Sequence, residues 1–112
     1  MNITFEDAKL GKIINDDKER LKKYGKINSK IIRRRLDDLA SLSCLEEAKN
    51  LPGKYHNLTG DRSGEIAVHV EEPYRLIFTP DHDPIPLDPS GSIDWKQITK
   101  IKVIEIVNYH GK

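Results

Sequence analysis

Apolar and polar positions change period once along this chain, near residue 53. Before that point the spacing is helical. Ile32, Leu36 and Leu39 recur at intervals of four and three, with Ile31 and Leu42 flanking the stripe, as one buried face of a helix requires. Asn28 or Ser29 is placed to cap that helix. Upstream, Ala8 to about Tyr24 also reads as helix, rich in Lys, Glu and Leu. A break at Asn15 to Asp17 would let Asn15 or Asp16 cap a second piece, and Gly25 closes it. Asn2 to Phe5 reads as a short strand before it. Leu45 to Lys49 predicts one more helical turn, and Leu51-Pro52-Gly53 ends the helical half.

From there the period becomes two. Tyr55 to Leu58 is a short strand, and Gly60-Asp61-Arg62-Ser63-Gly64 is a turn. Glu65 to Val70 alternates, with Ile66, Val68 and Val70 on one side and Ala67 and His69 on the other. Glu71-Glu72-Pro73 makes the next turn. In Tyr74 to Thr79, Leu76 and Phe78 share a face with Tyr74, while Arg75 and Ile77 point the opposite way. Pro80 to Thr99 holds four prolines and is too long for a hairpin loop, the mark of a functional or mobile segment. A helical turn around Trp95 is expected inside it. Ile101 to Val107 is nearly all apolar, which predicts a strand covered on both faces in the middle of the sheet. The order predicts an α+β fold of two layers: N-terminal helices on one face of an antiparallel sheet of about four to five strands. Arg75 and His69 are expected to project from the other, partly open face.

Composition narrows this picture. The 112 residues make one domain, 1–112, with one core. A net charge of +1 excludes a histone-like polycation but not a local basic face. Arg33, Arg34 and Arg35 run together, as do Lys96, Lys100 and Lys102. A single cysteine, Cys44, rules out an internal disulfide and fits a reducing compartment. The N-terminal residues lack the apolar core of a secretory signal, and no apolar run reaches the roughly 20 residues a membrane span needs. A cytoplasmic protein with no membrane partner is the expectation.

The common catalytic signatures are missing: no phosphate-binding Gly-rich loop, no Cys-x-x-Cys, no His-Glu-x-x-His. Asp81-His82-Asp83 has no second cluster to complete a metal site and reads as a solvated loop, so neither metal nor cofactor is expected. Ser90-Gly91-Ser92 reads as linker. What remains is a set on the sheet half: His56, Arg62, Arg75, Tyr109 and His110. RNA cleavage without metal needs such groups. A base takes the 2′-hydroxyl proton, a cation stabilises charge growing on the phosphate, and an acid protonates the leaving 5′-oxygen. Each residue also has a plainer reading. His56 can be a surface residue, and Arg75 a salt-bridge partner of Glu65 or Glu105. Tyr109 and His110 can be a frayed end. Arg33 to Arg35 can be a solvated or partner-binding helix face. His69 and Tyr55 read as structural.

The order of these residues resembles a known family. Leu51-Pro-Gly-Lys-Tyr-His-Asn-Leu-Thr-Gly-Asp-Arg-Ser-Gly64 is similar to the Leu-Pro-Gly…His-x-Leu-Lys-Gly-Asp-Arg-x-Gly stretch of HigB-type toxins, the plasmid-maintenance "killer" proteins of the RelE/ParE superfamily. Pro73-Tyr-Arg-Leu-Ile-Phe78 resembles that family's Arg-bearing strand, and Val107-Asn-Tyr-His-Gly111 its C-terminal ending. The Pro-rich segment through Asp94-Trp95 resembles one subgroup. The resemblance covers nearly the whole chain. It implies a RelE-like fold and a toxin of a type II toxin–antitoxin system. Such toxins cut messenger RNA in the ribosomal A site, without metal, by 2′-hydroxyl attack. It also implies a HigA-like helix-turn-helix antitoxin and contact with operator DNA only through the toxin–antitoxin complex.

Carried over by position, the resemblance gives Arg75 phosphate stabilisation. It gives His56 and His110 proton transfer, with His110 the better acid, and Tyr109 orientation or stacking on the substrate. Arg62 matches the arginine of the Gly-Asp-Arg turn. Two positions depart from the pattern: Thr59 stands where a lysine is usual and Asn108 where an aspartate is common. Lys54 and Lys102 are the candidate replacements for the lost phosphate-binding cation. Thr59 also keeps open an attenuated toxin acting mainly as antitoxin-binding co-repressor. A ParE-like non-nuclease toxin is a third reading, against which the retention of His56, Arg75, Tyr109 and His110 argues.

Overall fold

A computed structural model of the chain describes residues 1–109. The helical half comprises strand β1 (Asn2–Phe5) and helices α1 (Ala8–Asn15), α2 (Asp17–Tyr24) and α3 (Lys26–Ser41). A 3₁₀ turn at Leu45–Asn50 comes next. The sheet half adds β2 (His56–Asn57), β3 (Ile66–His69), β4 (Tyr74–Pro80) and β5 (Lys100–Asn108). The strands form one sheet in the order β1-β5-β4-β3-β2. All pairs are antiparallel except β1 with β5, which is parallel. The helices cover one face, so the fold is the two-layer α+β arrangement expected. Among the described residues no helix is long and apolar enough to cross a membrane.

The local chemistry explains the breaks. Asp16 sits in extended backbone and accepts from the backbone N–H groups of Lys18 and Glu19, capping α2, as a short side-chain acceptor does best. Gly25, at φ 84°, closes α2 and opens α3, so α3 starts earlier than a cap at Asn28 or Ser29 would allow. Both residues lie buried in its first turns with other partners. Asn28 Oδ1 accepts from the Glu71 N–H, and the Ser29 hydroxyl meets Arg20 Nε at 2.9 Å. Their polar side chains join α3 to the β3–β4 turn and to α2 instead of capping the helix.

The core lies between the layers. Ile32, Leu36 and Leu39 of α3 meet Ile66, Val68, Leu76, Phe78, Ile101 and Val103 of the sheet. Trp95 and Ile98 join them from the Pro-rich segment, which is ordered by an antiparallel bridge between Leu87 and Ile93 and by a 3₁₀ turn at Trp95–Gln97. The alternation along β3 and β4 is as the sequence predicts. Leu58, Ala67 and Ile77 form a smaller cluster on the opposite face, with Ile104 and Val107 packed against it. β5 is an interior strand, but Ile104, Glu105 and Val107 on its second face are only half-buried, because no layer covers that end of the face. The central strand is β4, which carries Arg75.

Candidate active site

The open face gathers its polar groups at one end. β3 and β4 pair with His69 opposite Arg75. Side chains at such a position stand on one face with Cβ atoms roughly 5 Å apart. Arg75 is buried, only 7% exposed. Its Nη1 donates to Glu72 Oε1 at 2.7 Å and to the Tyr74 carbonyl at 2.9 Å. A buried guanidinium needs such a partner. Glu72, from the turn between the two strands, turns its second oxygen to His69: Oε2 lies 3.4 Å from Nδ1. One carboxylate therefore bridges the arginine and the histidine. The Tyr109 ring lies beneath the Arg75 guanidinium, with 5.4 Å from the guanidinium carbon to the ring centroid, within cation–π range. The Tyr109 N–H is bound to the Pro73 carbonyl, which fixes the chain at that point.

His56 enters from β2. Its ring meets that of His69 edge-on, with centroids 6.1 Å apart, and its Nδ1 lies 2.8 Å from the Lys54 carbonyl. Lys54 itself takes φ 53°, a conformation unusual outside glycine. β2 pairs with β3, not β4, so His56 stands two strands, roughly 10 Å, from Arg75. His56 also lines a cleft of about 710 Å³ between the 3₁₀ turn at Leu45–Asn50, β2 and the Pro-rich segment. In its wall the Trp95 indole N–H donates to Asn57 Oδ1, and Lys49 Nζ lies 5.2 Å from the ring centroid.

The electrostatics come from these contacts. Burial, reinforced by the Arg75 charge, lowers the His69 pKa below its ordinary value; Glu72 opposes the shift. The hydrogen bond from Arg75 holds the Glu72 carboxyl below the usual range. Near neutral pH the arrangement is a neutral imidazole, a carboxylate and a guanidinium in one row.

The other expected phosphate ligands are placed differently. Arg62 is bracketed by two carboxylates, Glu65 at 2.7 Å and Glu105 at 2.6 Å, and the Glu105 hydrogen bond raises its pKa further. Glu65 and Glu105 therefore serve Arg62, and Arg75 takes Glu72. Lys102 pairs with Thr79 at the far end of β4, four residues from Arg75, or roughly 13 Å. Lys54 stays near, close enough for its charge to act on His69. Thr59 is exposed before the Gly60–Arg62 turn. His110 lies outside the described residues. Among those described, no group of three or more His, Cys, Asp or Glu is placed to hold a metal. His82 accepts the Thr99 N–H.

The geometry thus joins His56, Arg75, Tyr109 and Lys54, and leaves Arg62 bracketed and Lys102 remote. It adds His69 and Glu72, which the sequence pattern had left aside. The signal for His69 lay in the alternation, which already put it on the Arg75 face. Glu72 sits in a turn, where no period speaks for it. One basic residue supports the site from behind: Arg35 of α3 donates from Nε to the His69 carbonyl at 2.9 Å. No protein-family model and no curated protein matches the chain.

Proposed function

We propose that this chain is the toxin of a type II toxin–antitoxin pair, a cytoplasmic endoribonuclease that cuts messenger RNA on the ribosome by 2′-hydroxyl attack and so stops translation. The observation that carries the reading is Arg75. It is a buried cation pinned by Glu72, seated over the Tyr109 ring and paired across the sheet with His69, whose ring in turn meets that of His56. A buried, pre-oriented guanidinium suits charge developing on a phosphate, since it need not reorganise during the reaction. An exposed aromatic at its edge suits an unstacked base. His110 is the acid for the leaving oxygen in this scheme, and no metal or cofactor is invoked. The partners are a HigA-like helix-turn-helix antitoxin, the ribosome with its messenger RNA, and operator DNA through the toxin–antitoxin complex. Membership of the HigB-type toxins in the RelE superfamily is part of the same proposal.

The test is messenger RNA cleavage in a purified translation system, with and without ribosomes, mapped by primer extension. Cuts are expected only with ribosomes. Arg75→Ala, with its fold checked by circular dichroism, should lose roughly 10²–10³-fold in rate. Cleavage at full rate by the folded variant would refute the site. A second reading, an attenuated toxin that mainly completes a repressor complex, is favoured by the bracketing of Arg62 and by Thr59. It predicts no cuts from the wild-type protein under either condition.

A further inference from the structure

We propose that the general base of this site is His69, with Glu72 as the residue that positions it. The inference rests on the ribonuclease reading and moves the base from His56 one strand inward.

Placement favours His69. It is paired opposite Arg75 on adjacent strands, whereas His56 pairs with Ala67 and lies one strand further out. A phosphate held by Arg75 is within reach of the nearer ring. Orientation is met by both rings, since the Lys54 carbonyl at 2.8 Å fixes His56 Nδ1 in the same way. A general base needs one ring nitrogen unprotonated and aimed at the substrate, and the other nitrogen's hydrogen bond decides which one that is. Glu72 Oε2 faces His69 Nδ1 at 3.4 Å. It favours the Nδ1–H tautomer and leaves Nε2 to accept a proton. Glu72 is itself fixed by its 2.7 Å bond from Arg75. After proton uptake the two rings differ again. The imidazolium formed on His69 has the Glu72 carboxylate at hand, whereas His56 Nδ1 faces a neutral acceptor, the Lys54 carbonyl. The edge-on contact with His56 and the bond from Arg35 to the His69 carbonyl hold the ring and its backbone. Burial, with the charges of Arg75 and Lys54 nearby, keeps His69 neutral near neutral pH, the form a base requires.

The step balances without a further reactant. His69 Nε2 takes the proton of the 2′-hydroxyl as the 2′-oxygen bonds to phosphorus. The bond from phosphorus to the 5′-oxygen breaks, and that oxygen takes a proton from the acid. The products are a 2′,3′-cyclic phosphate and a 5′-hydroxyl. Arg75 faces the charge on the non-bridging oxygens.

The experiment is the pH dependence of single-turnover cleavage on programmed ribosomes for wild type, His69→Gln, His56→Gln and Glu72→Gln, with melting temperature as the folding control. The wild-type profile should fall on its acid side as His69 becomes protonated. His69→Gln should lose roughly 10²–10⁴-fold and with it the acid limb. His56→Gln should keep the limb. Glu72→Gln removes the carboxylate that opposes the downward shift of His69, so its limb should move to lower pH. A merely structural role for Glu72 would lower the rate without moving the limb. Ring nitrogen-15 spectra of the free protein add a readout independent of activity: His69 should show the Nδ1–H tautomer, and lose its dominance in Glu72→Gln. If wild type cleaves and His69→Gln keeps the acid limb, His69 is not the base and the ribonuclease reading stands. If wild type does not cleave at all, both fall.

Discussion

Tyr55 shows what one side chain costs in this fold. Its hydroxyl is buried and, among the described residues, has no hydrogen-bond partner. Its ring packs edge-on against Phe78. Burial pushes its pKa up to about 12. The folded state therefore holds a proton that the unfolded chain releases near pH 10. The stability linked to it is fully present below about pH 10 and is lost as pH rises towards 12. Tyr55→Phe removes an unsatisfied hydroxyl and keeps the ring, so its melting temperature near neutral pH should equal or exceed that of wild type. Between about pH 8 and about pH 11 the variant should lose less than wild type, and thermal melts at both ends check this. At this scale the sequence was a partial guide. The alternation put His69 and Arg75 on one face, and the structure keeps them there. It could not say that Glu72, rather than Glu65 or Glu105, would take Arg75, because that choice depends on which turn folds over which strand.

At the scale of elements, periodicity was readable wherever burial alone decided. The stripe Ile32, Leu36, Leu39 is buried as the spacing requires, because a helix on a sheet has only one face to hide. The start of α3 was not readable, since Asn28 and Ser29 find tertiary partners that outcompete local capping. The joint between the two halves is equally tertiary. Gly53 takes φ 121°, and a Cβ there would lie 2.5 Å from Val68 Cγ2 and 2.9 Å from Arg35 Nε. Its carbonyl accepts the His69 N–H at 2.7 Å. Gly53→Ala should therefore destabilise the fold by at least about 1–3 kcal/mol through backbone strain alone. It should also displace the Arg35 bond to the His69 carbonyl. A denaturant midpoint unchanged from wild type would show that the joint relaxes freely.

At the scale of the molecule, two layers could be read from the order of elements, but the parallel seating of β1 on β5 could not. Four residues of alternating exposure carry no sign of strand direction. The consequence is a sheet whose edges are β1 and β2 and whose centre is β4, with the candidate chemistry at one end of the open face. Among the described residues, that end holds few cations ready for phosphate. Arg62 is bracketed by two carboxylates, and Lys102 stands four residues along the strand, or roughly 13 Å. Lys54 remains to meet phosphates, with Arg75, whose charge Glu72 already shares. The opposite layer is different: Lys22, Lys23, Lys26, Lys30, Arg33 and Arg34 are exposed on α2 and α3. Each phosphate neutralised on single-stranded RNA contributes about −0.7 to the slope of log affinity against log salt. If the open face alone meets RNA, at most two neutralisations give a slope no steeper than about −1.4, and that shallow dependence is the expected result for binding to a short single-stranded messenger fragment. A slope several-fold steeper on that fragment would transfer the RNA contact to the helical layer. Arg75 would then no longer mark where the scissile phosphate sits.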